Sequence, residues 1–232
     1  MNKILEWYQE QLGQGWYNRL LPFLSCDDME KTRKEVLVRR KRSVVMPKST
    51  EMFKAFTLCN WEDTRVVILG VEPYSVAGEA TGLAYKAKID YPSHKVVAEI
   101  FEEIQNDVFD KEDNLRLGVI NDVSLWANQG ILLLNTALTV EKDKPRSHIK
   151  LWEAFTSTVI TALQEKTGVI YLLWGEEVKK YKHLIDEKHN YILEAEYPNP
   201  GRTEEGFKGC NHFSKVNDII TKQNGIECKI NW

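Results

Sequence analysis

Four short apolar runs divide the chain: VVIL at 66–69, ILLL at 131–134, VIYLL at 169–173 and YILE at 191–194. The first three are continuous and dominated by Val, Ile and Leu, the pattern of strands buried on both faces. Between the runs, apolar residues recur every three or four positions, which predicts helices. Over 3–24 the stripe is Leu5, Tyr8, Leu12, Trp16, Leu20 and Phe23. From about 95 to 105 it is Val96, Val97, Ile100 and Ile104, and over 151–166 it is Trp152, Phe155, Val159 and Leu163. Gly130 and Gly168 suit positions just past helix ends. Glu176 and Glu177 fall in the first turn of the helix after the third strand, with lysines following, as the helix dipole favours. Asn211 stands where an N-cap would open a last helix ending near Gly225. Strands alternating with helices predict an α/β fold, a three-layer αβα arrangement around a central four-stranded, mostly parallel sheet.

Length and composition add limits. The 232 residues carry no obvious linker, internal repeat or low-complexity tract, so one domain over 1–232 is expected. Charged residues make up 28%, and no apolar run approaches membrane-spanning length; with no signal-peptide pattern at the start, a soluble cytoplasmic monomer is expected. Cys26, Cys59, Cys210 and Cys228 form no CxxC pair and have no histidine at metal spacing, which reads as reduced thiols and no metal. A net charge of −3 neither points to nucleic acid nor excludes it, because a local basic face can outweigh the sum. The run Arg39-Arg40-Lys41-Arg42, after Arg33 and Lys34, reads first as a solvated face and second as a phosphate-binding patch.

The candidate chemistry sits where strands end. Gly70 closes the first run and Glu72-Pro73-Tyr74 follows, at the edge where open α/β sheets bind ligands. Pro73 pushes Glu72 towards an extended backbone, so the carboxylate is held. Gly78 and Gly82 are expected to bring the backbone close to whatever the loop cradles. Asn135 ends the second run, and Tyr197-Pro198-Asn199-Pro200 follows the fourth, so the three segments would meet at one sheet edge.

The stretch GVEPYS at 70–75, with its Gly-containing loop and Tyr85, resembles the water-activating motif GQDPYH of family 1 uracil-DNA glycosylases, with matching spacing from Gly70 to Tyr85. LLLNTALTV, SHIKLWEAFTSTVI and GFKGCNHFSKVND match further segments of that superfamily in order, and His148 matches a family histidine. The resemblance implies a cofactor-free DNA glycosylase. Glu72 would replace the catalytic Asp, and Tyr197, in YPNPG, the His that donates to the leaving base. Asn135 would read the pyrimidine edge, Tyr85 would stack on the base in place of Phe, and Tyr74 would crowd C5, with Val71 in place of Gln. Ser93 and Asn199 would hydrogen-bond the DNA backbone. Gly201 replaces the intercalating Leu, leaving Arg202 as the nearest residue to fill the gap of a flipped base, and Glu204-Glu205 places acid where the family has Tyr-Arg.

Two function classes follow. One is a glycosylase that excises uracil or a modified pyrimidine from DNA, in base excision or in defence against modified phage DNA. The other is a catalytically inactive DNA-binding or decoy protein. Beyond DNA, a glycosylase-inhibitor protein is an expected partner, and a membrane is not. Both catalytic positions depart from the family: Glu is one methylene longer than Asp, and a phenol donates from a different height than an imidazole. Misplacement of about 1 Å can cost on the order of 10² in rate.

Overall fold

A computed structural model describes residues 3–88, 94–109, 122–199 and 206–232. Ser93, Gly201 and Arg202 lie outside the described residues.

The apolar runs form a four-stranded sheet of β2 (Val66–Gly70), β3 (Ile131–Asn135), β5 (Ile170–Trp174) and β6 (Tyr191–Ala195). Their order is β3-β2-β5-β6 and every pairing is parallel. Each residue of β2, β3 and β5 is buried, as continuous hydrophobic runs in a sheet covered on both faces require. Edge strand β6 is more exposed, which fits its mixed YILEA sequence. A short antiparallel ribbon of β1 (Val45–Met46) and β4 (Val140–Glu141), which the apolar runs did not predict, stands apart from this sheet.

The chain enters at β2, crosses to β3 on one side and then to β5 on the other. Strand order therefore reverses between β2 and β5, and a crevice opens outside their carboxyl ends. On the helical layers, α1 (Lys3–Leu24) packs on α3 (Lys54–Leu58) and α6 (Ile149–Leu163), and α2 (Asp27–Arg42) packs on α1 and α6. Elsewhere α4 (Lys95–Val108) packs on α8 (His212–Asn224). The short α5 (Ser124–Ala127) leads into β3, and α7 (Glu176–Lys179) follows β5. Most buried apolar residues, from Tyr8 to Trp232, belong to one contiguous cluster, and Met46, Ala80 and Val140 form a small second one.

Several expectations change in detail. The stripe over 3–24 is buried as Tyr8, Leu12, Trp16, Leu20 and Leu24, but the helix breaks at Gly13, where φ is 73° and ψ 163°. The basic run is the end of α2, a helix whose acidic first turn and basic last turn suit its dipole. Half of that run faces inward rather than solvent or phosphate. Arg39 donates to Glu141 Oε1 (3.0 Å) and Ser147 O (3.3 Å), and Arg40 donates to the carbonyls of Val45 and Pro47 (both 2.7 Å). Asn211 does not cap α8 with its side chain, which donates to Gly209 O instead. Asp107 of α4 caps α8, accepting from the N–H groups of Phe213 and Ser214 (both 2.9 Å). Gly82, at φ +87°, packs on the protein itself: a Cβ there would lie 1.8 Å from Glu51 O, so the glycine admits the segment before α3.

Candidate active site

The register of β2 and β3 sets the centre of the site. Gly70 lies opposite Asn135, the last residues of their strands, and Thr136 N–H donates to Gly70 O at 2.8 Å. The next carbonyl, of Val71, accepts from Ala137 N–H (2.9 Å) and the Thr136 hydroxyl (2.8 Å). These bonds fix the path of the chain into Glu72-Pro73-Tyr74. A pocket of about 440 Å³ opens there, with Glu72, Tyr74, Tyr85, Asn135 and Tyr197 in its wall. Val71, Trp174, Arg146 and Glu177 complete much of the rest.

Asn135 is 3% exposed, yet its side-chain amide takes no hydrogen-bond partner among the described residues. That amide lines the open pocket rather than being sealed away, and it offers one acceptor and two donor hydrogens to whatever enters. Space for that amide comes from Gly70: a Cβ there would lie 2.4 Å from Asn135 Oδ1 and 2.9 Å from Ala84 Cβ. Gly70→Ala is therefore expected to displace the amide and to cost about 1–3 kcal/mol of folding stability through overpacking, which urea unfolding checks.

Tyr85 holds a left-handed φ of 60°, and its hydroxyl donates to Leu69 O at 3.3 Å. Its ring meets Trp174 at 5.4 Å, and Trp174 Nε1–H donates to His212 Nδ1 at 3.0 Å. Burial pulls the His212 imidazole down to about 4, so it is neutral at pH 7 and can accept that bond. Tyr74 leans on His94 with ring centroids 4.5 Å apart, which braces one side of the pocket. Burial pushes the phenols of Tyr74 and Tyr85 upward, and both remain protonated at neutral pH.

Tyr197 sits at the rim, 40% exposed, with its Cβ against the backbone of Gly175. Burial and then the Glu72 carboxylate raise its phenol, so it stays a neutral O–H donor. Glu72 is half-buried, and among the described residues its two carboxylate oxygens accept from one donor, the main-chain N–H of Arg146, at 2.9 and 2.7 Å. Burial lifts the Glu72 carboxyl above the usual carboxylate range, opposed by that N–H and by the Arg146 charge. Ionised, it places negative charge in the same pocket as a neutral phenol donor and an unpartnered amide.

The sequence profile of the uracil DNA glycosylase superfamily matches residues 56–221, which include every residue of this wall. The chain belongs to that superfamily. Among its relatives, the uracil-DNA glycosylase of Aliarcobacter butzleri (strain RM4018) is 40% identical over 202 residues, covering 85% of this chain and 91% of its own length. That of Photorhabdus laumondii subsp. laumondii is 38% identical over 196 residues and 84% of both chains. The crystal structure of mimivirus uracil-DNA glycosylase superposes with a TM-score of 0.79 at 19% identity, over 95% of this chain and 90% of its own. A variant of mimivirus UNG in complex with UGI superposes with a TM-score of 0.80 at 21% identity, over 93% of this chain and 88% of its own. At such identities the structural matches speak for the fold alone. Superfamily membership bears out the resemblance, the α/β fold and the enzyme class, DNA glycosylase, read from the sequence.

Within this superfamily fold, Val71, Glu72, Tyr74, Tyr85, Asn135 and Tyr197 share one pocket. Asn199 is exposed and does not line it. His148 lies behind the site, fully buried, with Nδ1 2.7 Å from the Thr139 hydroxyl, and burial lowers it to about 4. The sequence reading missed Arg146, Trp174 and Glu177 as wall residues. Trp174-Gly175 at a strand end was a usable signal for the second. Arg146 gave none, because its role rests on a main-chain N–H at φ +67°. Among the described residues, no helix is long and apolar enough to cross a membrane and no His, Cys, Asp and Glu cluster could hold a metal ion.

Proposed function

We propose that this chain hydrolyses the N-glycosidic bond of a pyrimidine nucleotide flipped out of DNA, with uracil as the first substrate, and acts as a monomer of one domain. Scission of that bond leaves a cationic sugar and an anionic base. Glu72 faces the sugar, where its charge offsets the cation and orients water. Tyr197 donates to the leaving pyrimidine as its oxygen gains charge. Asn135 pairs with the O4 and N3–H edge, Tyr85 offers its π-face, and Val71 closes the wall beside Glu72. The observation that carries this reading is the Asn135 amide lining, free of any hydrogen bond from the described residues, the same pocket as a carboxylate and a neutral phenol. The Tyr74 ring braced on His94 favours a small group at C5, so uracil fits better than a bulky modified pyrimidine. Asn199, with Ser93 and Arg202, belongs to the DNA-facing side in this reading, and Gly201 leaves the wedge to Arg202. A protein that mimics the DNA surface, as an inhibitor would, is the second partner proposed.

Incubation with uracil-containing and modified-base DNA, followed by an assay for alkali-labile sites, tests the activity. Single-turnover excision by wild type, Tyr197→His, Glu72→Asp and the double variant then separates a retuned site from a decayed one. In a retuned site, Tyr197→His lowers the rate by about 10²–10³, the cost of a lost oxyanion donor. The two changes together are non-additive, as for neighbours that share one transition state. An inactive wild type with a strongly active double variant would reject retuning and leave a DNA-binding or decoy protein.

A further inference from the structure

The side chain of Glu72 is longer by a methylene than the family's Asp, and an extra rotatable bond loosens a carboxylate that has to face one atom. In this fold the slack is taken up from the segment between β4 and α6. Arg146 N–H donates to both Glu72 oxygens at 2.9 and 2.7 Å, although Arg146 holds a left-handed φ of +67°. A non-glycine residue in that region is strained and persists only when its surroundings impose it. Four contacts impose it here. The Arg146 guanidinium pairs with Glu177 in the first turn of α7. Arg39 of α2 donates to Ser147 O at 3.3 Å and to Glu141 Oε1 at 3.0 Å. Asp143 N–H donates to Ser75 O at 3.0 Å, tying this segment to the loop that carries Glu72.

We propose that Arg146 is the positioning residue of Glu72, its left-handed main-chain N–H, braced by Glu177 and by Arg39 on Ser147, aiming the longer carboxylate at the sugar. The inference rests on the reading of Glu72 as the carboxylate of the reaction. It also gives α2 a part in the chemistry without any phosphate contact, since Arg39 acts through Ser147 and Glu141. The same N–H favours the ionised carboxylate against burial, so displacing it raises the Glu72 carboxyl further. The other ionisable groups that line the pocket are Glu176 and Glu177 from α7, the Arg146 guanidinium, and the phenols of Tyr74, Tyr85 and Tyr197.

The test compares Arg146→Gly with Arg146→Val. Glycine keeps the N–H and adopts a positive φ freely, whereas a β-branched residue there is a true outlier and drives the N–H away. The carboxyl of Glu72 is titrated in the free protein by carbon-13 NMR, and single-turnover excision of uracil is measured against pH. With Arg146→Val, the Glu72 titration is expected to move to higher pH, the acid limb of the rate to move with it, and the rate to fall about 10²-fold. Arg146→Gly should lose less, by about tenfold or more, and show a smaller shift that reflects the lost guanidinium. Should Arg146→Val fail to fold, Glu177→Gln removes one brace without straining the backbone, and a smaller upward shift is expected. An unmoved Glu72 titration in Arg146→Val, or in Glu177→Gln where that variant stands in, would overturn the proposal. Equal losses in Arg146→Gly and Arg146→Val would overturn it too, since they would assign the effect to the guanidinium. An inactive wild type whose Glu72 titration still shifts as expected rejects the excision reading, while the hold of Arg146 on the carboxylate stands.

Discussion

Glu72→Gln removes base excision and leaves the fold intact. The amide keeps the shape of the side chain, and its oxygen can still accept from Arg146 N–H, so the loop has no reason to move. What disappears is the negative charge proposed to face the sugar and to orient water. A positioned acid or base contributes about 10²–10⁴-fold, and the loss in single-turnover rate is expected in that range. Stability runs the other way. Burial raises the Glu72 carboxyl, which means the folded protein disfavours its ionised form at neutral pH. An uncharged Gln relieves that penalty, so thermal unfolding should occur at an unchanged or higher temperature. In wild type, the rate should fall on acidification with an apparent pKa above the ordinary 4.5. The imidazoles of His148 and His212, held at about 4 by burial, titrate below that limb. Undiminished excision by Glu72→Gln on the wild-type substrate would sink the mechanism.

Asn135→Asp changes which base is accepted. The wild-type amide offers one acceptor and two donor hydrogens to the pocket, and no described residue engages them. Aspartate replaces the donor with an acceptor when ionised, or with a single relocated O–H when neutral. A site built around such a pattern rejects the mismatched partner by about 10⁴–10⁵, so uracil excision is expected to fall by that order. At 3% exposure the new carboxyl also lacks a partner, and some loss of folding stability should accompany the switch. Competition among uracil, cytosine and modified bases in single-turnover excision gives the ranking. If the variant ranks them as wild type does, Asn135 is not the reader.

Much of the frame of this protein was legible from the chain. Uninterrupted runs such as VVIL and ILLL, short and built of Val, Ile and Leu, are the pattern of strands in a sheet covered on both faces, and they became β2 and β3 almost residue for residue. Helical stripes such as Trp152, Phe155, Val159 and Leu163 likewise named the buried face of α6. Strand ends also located the candidate chemistry, because a parallel sheet gathers its carboxyl edges on one side. The resemblance to the glycosylase superfamily then attached roles to Glu72, Asn135 and Tyr197, which lie along one pocket wall.

Where a side chain finds its partner was not legible, since periodicity describes faces and not neighbours. Arg39 and Arg40 read as part of a charged surface, yet both turn inward to carbonyls and a carboxylate far along the chain or beyond the helix end. Asn211 has the right identity for an N-cap, but Asp107 on another helix already occupies the first N–H groups of α8. Gly82 looks like a ligand cradle and instead makes room for Glu51 O. The sequence by itself determined the sheet, its coverage and the edge where chemistry gathers, because those follow from local apolar patterning. Only the tertiary structure decided how Glu72 is aimed: its partner is a main-chain N–H at φ +67°, 74 positions away, and a backbone donor leaves no mark on residue identity.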